Sequence, residues 1–287
     1  MKNKVILHSH QSKTGIPPSG LRRVQSAPRR NKIWTGSILQ VARILCVANQ
    51  KGGVGKTTTS INLAAGLANS GHSTLLVDLD PQCNATTGLG SRPTQRHGLV
   101  VQQPLKDAIE SLEWENLDLL PGSRSFQDIE TLASGQQGSS STLRRHFNGE
   151  IRPYDYVIID CPPSLGHLTQ TALSSATEVL MPIQCEYFAM EGLTQMIETI
   201  RRVRNEQDSR LEFGGILLTM HDETLELTRE VEAEVREFFG EIVYDVVVPR
   251  DVAVSEASSH GCSVLEYAPR ARGSRAYLEL CLEVSNL

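Results

Sequence analysis

The chain has 287 residues, with 28 basic and 33 acidic side chains and a formal net charge of −5 at pH 7. This length favours one large α/β domain over two ordinary ones. No apolar run approaches the roughly 20 residues that a membrane-spanning helix needs, and no secretory apolar segment opens the chain, so we expect a cytoplasmic protein without a membrane partner. The six cysteines form no CxxC pair and no Cys/His cluster, which excludes a disulfide framework and fits a reducing compartment.

Charge is divided unevenly along the chain. Eleven of the 28 basic residues precede the first acidic residue, Asp78, so 17 basic residues face all 33 acidic ones in the remainder. Residues 1–40 are rich in Ser, Pro, Gly and Arg and lack periodicity, which predicts a basic, disordered extension before a domain at 41–287. Such a segment suits a polyanion such as DNA, or an arm that folds back on its acidic body. It also resembles a transit peptide, and a translation start further along the chain would remove it.

From residue 42 onwards, short apolar runs alternate with segments of helical character. The runs are "ARILCVAN", "STLLVDLD", "LDLLPG", "YDYVIIDCPP", "EVLMPI", "FGGILLTM" and "IVYDVVVP". The first helical segment, "KTTTSINLAAGLANSG", places Gly71 where a helix C-cap is expected. This alternation predicts an α/β fold with a mostly parallel central sheet and helices on both faces. Ligands of such sheets bind beyond the C-terminal ends of the strands.

A glycine-rich loop joins the first of these strands to the first helix. Its glycines allow backbone N–H groups to converge on phosphate oxygens, where the helix N-terminus adds a partial positive charge. The general P-loop pattern places a glycine at position 50, which is Gln50 here, so the motif is KGGxGKTT. The predicted phosphate loop comprises Gly52, Gly53, Val54 and Gly55.

Polar residues around this loop have the types that a nucleotide site needs. We predict that Lys56 neutralises the β- and γ-phosphates, that Thr57 binds Mg²⁺ and that Thr58 reaches the α-phosphate. Asp160 ends the apolar strand "YVIID", where a carboxylate holds Mg²⁺ through water. Taken alone, an aspartate in this position is more often a loop residue or a helix cap, but a preceding P-loop in a parallel sheet favours the metal role.

Two carboxylates follow the second strand in "VDLDPQCNATTGLG". Asp80 is placed to orient or deprotonate an attacking water, and Asp78, closer to the strand, to support the metal site. An Asp-Pro turn without chemistry explains the same residues when they are considered alone. Beside a P-loop, the stretch is typical of a switch segment that senses the γ-phosphate.

Taken together, the motifs resemble the ParA/Soj partitioning ATPases within the deviant-Walker class of P-loop proteins. The similar stretches are KGGVGKTT, DLDPQCNAT, VIIDCPPSLG, PIQCEYFAMEGL, GILLTM and VVVPRDVAVSEASSHG, between about residues 42 and 285. The resemblance implies ATP and Mg²⁺ as cofactors, an ATP-dependent sandwich homodimer and nonspecific DNA binding on the nucleoid. It also implies hydrolysis stimulated by a ParB-type centromere-binding partner, in the service of chromosome or plasmid segregation.

The resemblance assigns roles to individual positions. Lys51 matches the signature lysine that reaches the phosphates of the other subunit, and Asp80 matches the acid associated with hydrolysis. Pro249 falls where the family places backbone around the base, and Asp251 stands where an Asn is frequent. Glu186 matches a position that contributes across the dimer, although a buried charged pair explains it equally. Residues 52–58 match the phosphate loop, and the aspartate at 160 matches the Walker B acid.

Two departures concern DNA. Thr224 and Ala253 stand where the family often has arginines that contact phosphates. We expect the basic extension to compensate through Arg22, Arg23, Arg29, Arg30 and Lys32. A second candidate patch comprises Arg201, Arg202 and Arg204, which are equally explained as the solvated, dipole-matched end of a helix.

Three other protein classes share parts of this pattern. A MinD-like positioning ATPase has the same nucleotide motifs but a basic amphipathic C-terminal helix for membranes, whereas this chain ends "RAYLELCLEVSNL". An iron–sulfur reductase of the nitrogenase iron-protein type needs cysteines that bridge a cluster, for which Cys161 is the candidate. A metabolic P-loop enzyme that phosphorylates a small acid needs a substrate pocket, for which no separate group of residues is evident.

Overall fold

The computed structural model describes residues 42–100, 104–125, 128, 143, 147, 150–151, 153–186, 189–205 and 209–286. The predicted basic extension at residues 1–40 lies outside these ranges, as do all five of its candidate DNA-binding residues. The first described residue is Ala42, and the predicted boundary between extension and domain stays a prediction.

Eight strands in the described part of the chain form a single sheet. They are β1 (Arg43–Val47), β2 (Thr74–Asp78), β3 (Glu110–Ser111), β4 (Leu117–Leu120), β5 (Tyr156–Asp160), β6 (Glu178–Gln184), β7 (Glu212–His221) and β8 (Val243–Pro249). Their order is β3-β4-β2-β5-β1-β6-β7-β8, and only β3 and β4 pair antiparallel. All seven predicted strands are present and the mostly parallel sheet is confirmed. The two-residue edge strand β3 was not predicted, because two exposed residues carry no periodicity.

Helices cover both faces of the sheet. In the described part they are α1 (Lys56–Asn69), α2 (Asn84–Gly88), α3 (His167–Ser175), α4 (Ala189–Arg204), α5 (Glu226–Phe239), α6 (Val252–Ser259), α7 (Val264–Tyr267) and α8 (Arg272–Asn286), with 3₁₀ turns at Leu105–Asp107 and Gly240–Ile242. Apolar residues of α3, α4 and α5 pack on one face, and those of α1, α7 and α8 on the other. None of the helices described is long and apolar enough to cross a membrane.

Helix α1 is a central element with buried residues on most of its surface. Its small residues allow this, because a helix rich in Ala and Gly can lie close to the sheet and to other helices. At its C-terminus the Gly71 N–H donates to the Ala68 carbonyl and the His72 N–H to the Leu67 carbonyl, at 2.9 and 3.2 Å. With Gly71 at φ 88°, this is the left-handed helix end that the sequence predicts.

The strand order brings the predicted site residues to one edge of the sheet. β1 lies between β5 and β6, and β2 lies on the far side of β5. At their C-terminal ends, β1 leads into the Gly-rich loop, β5 leads into Cys161 and β2 leads into Leu79. The loops after β1, β2 and β5 therefore converge where ligands of such sheets bind.

Candidate nucleotide-binding site

The Gly-rich loop has a backbone that glycine alone adopts readily. Gly53 and Gly55 have φ angles of 74° and 87°, in the left-handed region where a side chain is strained. Gly52 and Gly53 are exposed to solvent, whereas Val54 is buried. α1 begins directly after Gly55, whose carbonyl accepts a hydrogen bond from the Thr59 N–H at 2.8 Å. The loop thus presents backbone N–H groups at a helix N-terminus, the arrangement expected of a phosphate site.

Two buried side chains anchor this loop, and neither was singled out from the sequence. Asn49 donates to the Pro182 carbonyl at 2.7 Å and accepts from the Lys51 N–H at 3.0 Å. The Thr219 hydroxyl, at the end of β7, lies 2.9 Å from the Val54 carbonyl. It also lies 3.0 Å from the carbonyl of Ile183. These contacts join the loop to β6 and β7, and they depend on strands more than a hundred residues away in sequence.

The two lysines of the loop have different surroundings. The ammonium group of Lys56 donates to the Lys51 carbonyl at 2.9 Å and is buried. Burial lowers the pKa of Lys56, and the nearby charges of Asp160 and Asp80 oppose that shift. The ammonium group of Lys51 points elsewhere, to Glu186, at 2.9 Å. The structure thus brings Lys56 to the interior of the site and leaves the side chain of Lys51 at its rim.

Asp160 and the start of α1 form the predicted metal-binding pair. The Thr57 hydroxyl donates to Oδ2 of Asp160 at 2.8 Å, and the Ser60 hydroxyl donates to Oδ1 at 2.9 Å. Ser60 was not predicted, because a serine one turn into a helix gives no signal of its own. Thr58, next to Thr57, is partly exposed at the same helix end.

Asp78, which is the last residue of β2, and Asp80, which follows the strand, have separate tasks. Asp78 accepts three hydrogen bonds, from the Thr86 N–H at 2.8 Å, the Thr86 hydroxyl at 2.6 Å and the Asp80 N–H at 3.1 Å. Its carboxylate therefore holds the turn together, which differs from the metal-supporting role expected from its position. The Asp80 carboxylate accepts one hydrogen bond from the described part of the chain, from the Gln82 N–H to Oδ1 at 2.9 Å. The role of Asp80 in hydrolysis stays a prediction.

The electrostatics of these groups fit a bound divalent cation. Burial raises the pKa of Asp160 to about 8, and the charge of Asp78 adds to the shift, while the bonds from Thr57 and Ser60 oppose it. Burial likewise raises the pKa of Asp78 to about 6. A cation beside Asp160 would offset this cost of ionisation, and hydroxyl and carboxylate oxygens are ligands that Mg²⁺ prefers. The residues present therefore fit the metal.

Pro249 and Asp251 lie where the last strand leaves the sheet. Pro249 ends β8 and is partly exposed. The Asp251 carboxylate caps α6 by accepting from the Ala253 N–H at 3.0 Å, and it accepts from the Gly273 N–H at 2.9 Å. Both oxygens are thus engaged with backbone, an arrangement that an Asn amide cannot reproduce because its nitrogen is a donor. A contact between either residue and a base stays a prediction.

Of the positions considered for DNA contact, the structure describes Thr224, Ala253 and the second candidate patch. Thr224 is exposed and bonded to Asp222, and Ala253 is partly exposed. In the second candidate patch, Arg204 pairs with Glu212 at 3.5 Å and lies over the ring of Phe213. Its three arginines occupy the last turn of α4, where positive charge is favourable.

A cluster of four exposed arginines was missed. We call it the arginine cluster, and it comprises Arg250, Arg270, Arg272 and Arg275. The Arg272 guanidinium lies 3.5 Å from the Arg250 carbonyl, so the start of α8 lies beside the end of β8. The run "RARGSR" carried the signal in the sequence, but its position next to the strand ends became evident only in the fold.

Cys161 does not lie where a bridging cluster would need it. The residue has no exposed surface, and its sulfur lies 3.3 Å from that of Cys46 inside the sheet. The hydrogen bond with Cys46, followed by burial, raises the pKa of Cys161 well above the usual value, so the thiolate that a metal requires is disfavoured.

Comparison with known proteins identifies the family. Residues 42–213 match the sequence model described as an AAA domain. The chain is 48% identical to the chromosome partitioning protein ParA of Caulobacter vibrioides over 250 residues, covering 84% of this chain and 93% of that protein. It is 43% identical to the sporulation initiation inhibitor protein Soj of Bacillus subtilis, covering 85% and 99%.

Solved structures agree with the fold. Cobyrinic acid a,c-diamide synthase of Mycobacterium smegmatis, with a bound ATP analogue and magnesium, superimposes with a TM-score of 0.72 at 33% identity, covering 84% of this chain and 93% of that one. The cell division ATPase MinD of Pyrococcus furiosus superimposes with a TM-score of 0.71 at 24% identity, covering 85% and 98%, which shows the shared fold alone. Because the chain is similar to ParA and Soj over most of its length and of theirs, it belongs to the ParA/Soj family of chromosome-partitioning ATPases.

Proposed function

We propose that this protein is an ATP-dependent switch that dimerises on ATP, binds DNA without sequence preference on the nucleoid and drives segregation with a ParB-type partner. Residues 41–287 form the ATPase domain in this proposal. ATP and Mg²⁺ are its ligands, as an ATP analogue and magnesium are in the similar synthase structure. Whether the DNA is a chromosome or a plasmid does not alter the chemistry proposed for the site.

The position of Lys51 is the observation that carries this proposal. Its carbonyl holds Lys56 in place, yet its own side chain is 37% exposed at the rim of the site. A lysine that only bound the nucleotide of its own chain would lie inside the loop, as Lys56 does. A second copy facing this rim would receive the Lys51 charge at its own phosphates, as an arginine finger is supplied in trans in other P-loop enzymes.

The remaining site residues divide the work of hydrolysis. Thr57 and Asp160 would hold Mg²⁺, which when bound offsets the negative charge of the phosphates. Lys56 places a buried positive charge beside the same phosphates, and the loop between Gly52 and Gly55 supplies backbone donors. Asp80 uses Oδ1 for the Gln82 N–H, and we assign Oδ2 to orienting the attacking water and accepting its proton.

The arginine cluster supports DNA binding by the ATPase domain itself. Arg272 and Arg275 lie at the N-terminal end of α8, where the helix dipole makes positive side chains unfavourable. The pKa of Asp222 is lowered mainly by its hydrogen bonds with Thr224. The positive charges of Arg250 and Arg272 lower it further. An excess of exposed arginine suits phosphates, and it replaces the contacts expected to be lost at Thr224 and Ala253.

The measurement that tests the switch is ATPase turnover with and without DNA and a ParB-type partner. We expect both Lys51→Ala and Asp80→Ala to abolish stimulated turnover. Asp80→Ala should still dimerise on ATP, because its carboxylate acts only in hydrolysis, whereas Lys51→Ala should lose the dimer. Stimulated turnover that survives in either variant would contradict the roles assigned here.

DNA binding is tested by retention on DNA in the presence of ATP as the salt concentration rises. Replacing Arg270, Arg272 and Arg275 by Ala should reduce the slope of log affinity against log salt by about 3, since each phosphate contact contributes about 1. Replacing Arg201, Arg202 and Arg204 tests the second candidate patch in the same way, and their position at the C-terminal end of α4 predicts no change in the slope. Deleting residues 1–38 measures the share of the basic extension, and an unchanged slope would remove that segment from the interface.

The competing role at a membrane has little support from α8. The apolar side of this helix is buried, with Tyr277, Leu280 and Val284 almost without exposed surface. These residues pack against α1 and β8, so the face that would lie on a membrane is already covered. Co-sedimentation with anionic liposomes should accordingly leave the protein in the supernatant.

A further inference from the structure

We propose that Glu186 holds Lys51 within its own chain while the chain is alone, and that this contact sets the threshold for dimer formation. The proposal rests on the proposed function, because it concerns the lysine that we assign to the partner's phosphates. In this proposal Glu186 does not contact the other subunit of the dimer. Its carboxylate instead competes with the second subunit for Lys51.

The contact is well formed at both carboxylate oxygens. Lys51 Nζ donates to Oε2 of Glu186 at 2.9 Å, and Gln184 Nε2 donates to Oε1 at 2.6 Å. Gln184 ends β6 and Glu186 follows it by two residues, so the acceptor is attached to the end of a sheet strand. The Lys51 side chain is therefore held in one direction, towards β6.

Only the side chain of Lys51 is free to leave this position. Its N–H is fixed by the buried Asn49, which is itself bonded to the Pro182 carbonyl of β6. Its carbonyl is occupied by the Lys56 ammonium group. The Lys51 backbone and its counter-ion Glu186 are thus both held at the end of β6. The Lys51 ammonium group can therefore move from Glu186 to a phosphate of the partner by rotation of its side chain alone.

The exposure of the pair makes the contact reversible. The side chains of Lys51 and Glu186 are 37% and 49% exposed, and ion pairs with this much solvent change an equilibrium constant by at most about fivefold. One ammonium group cannot serve Glu186 and a partner's phosphate at the same time, so the pair must open before the dimer closes. A two-fold dimer opens two such pairs, which squares the effect to about 25-fold.

The test is the ATP-dependent monomer–dimer equilibrium of the full chain, measured by analytical ultracentrifugation with Mg²⁺ and a non-hydrolysable ATP analogue. Glu186→Gln, which keeps the size of the side chain, should tighten the dimer by about 2- to 25-fold, and Glu186→Ser should do the same. Glu237→Gln, at an exposed glutamate of α5, is the control and should leave the equilibrium unchanged. In a Lys51→Ala background, Glu186→Gln should no longer tighten any association.

The outcomes separate this proposal from the function on which it rests. If the wild-type chain dimerises and the Glu186 variants dimerise equally or more weakly, the proposed contact within one chain is wrong. The proposed ATP-dependent switch would then still stand. Weaker dimers would assign Glu186 to the other subunit. A wild-type chain that never dimerises with the nucleotide would overturn both proposals.

Discussion

Asp160 lies fully buried at the end of β5, and its titration predicts how the stability of the nucleotide-free protein depends on pH. Its folded pKa of about 8 exceeds the unfolded value of about 3.9, so between these values the folded state binds a proton that the unfolded state releases. This stabilisation is complete below about pH 4 and is lost as the pH rises through 8. One proton corresponds to a loss of about 1.4 kcal/mol per pH unit.

Urea unfolding in EDTA at pH 6.5, 7.0 and 7.5 measures this slope. We expect Asp160→Asn to be less dependent on pH than the wild type over this interval, because the amide does not titrate. The substitution removes the Asp160 carboxyl group together with its electrostatic coupling to Asp78. Parallel slopes for the two proteins would show that the carboxyl group does not carry the raised pKa.

Thr219 gives a second prediction for a single residue. Thr219→Val keeps the shape of the side chain but removes the hydroxyl that bonds the Val54 carbonyl of the phosphate loop. One such bond contributes about 1 kcal/mol, so the affinity for a fluorescent ATP analogue should fall about fivefold. Thr199→Val removes a similar buried hydroxyl, bonded to Gln195 inside α4, and should bind the analogue like the wild type. Equal affinities for both variants would exclude Thr219 as an anchor of the loop.

At the scale of elements, the close contact between α1 and α8 depends on Gly66. A Cβ atom at this position would clash with the Cys281 sulfur and lie 3.4 Å from Leu265. Gly66→Ala should therefore lower the free energy of unfolding by about 1–3 kcal/mol, even though alanine favours helices. Gly192→Ala, in α4, meets no atom within 4 Å and should raise it by about 0.5–1 kcal/mol.

The cause of the Gly66 effect is tested by a second substitution. Cys281→Ala removes the sulfur that the new methyl group meets, so it should restore part of the stability that Gly66→Ala loses. Thermal unfolding of the two single variants and the double variant gives the coupling between the positions. Additive losses would show that the two helices do not meet through this pair.

Elements also differ in how far the sequence predicted them. The strands and the phosphate loop were predicted because their signals are local, an apolar run or a glycine at a fixed spacing. Asp78 was assigned to the metal, whereas its contacts to Thr86 hold a turn, and those contacts arise only when the chain folds back on itself. The anchors Asn49 and Thr219 were missed for the same reason, since each contacts a strand distant in sequence.

The sequence predicted that basic residues contact DNA, but it did not predict the arginine cluster as their position. The excess of basic residues near the start of the chain favoured the extension as the DNA-binding segment, whereas the arginine cluster lies in an otherwise acidic region. Three of its members lie within six residues of each other at the start of α8, and the packing of α8 beside β8 adds Arg250 to them. Composition averaged along the chain cannot show such a patch.

At the scale of the whole molecule, the six cysteines report how completely the core is closed. Cys46, Cys83, Cys161, Cys185 and Cys281 are buried, and Cys262 alone is partly exposed. Native protein should therefore react with an aromatic disulfide reagent at one thiol, and protein in denaturant at six. Burial and the charge of Glu266 raise the pKa of Cys262, so its reaction should accelerate as the pH rises.

The five slow thiols connect this measurement to the nucleotide site. Cys46 lies on β1, which precedes the phosphate loop, and Cys161 directly follows Asp160 at the end of β5, so their exposure requires the sheet at the site to open. A ligand that binds only the folded state lowers the population of open molecules in proportion to its concentration above the dissociation constant. ATP and Mg²⁺ should accordingly slow the five thiols while Cys262 reacts as before. Cys262→Ser is the control, because it should remove the fast thiol and leave the slow phase unchanged. Rapid reaction of more than one thiol in the native protein would mean that the core is not closed as described.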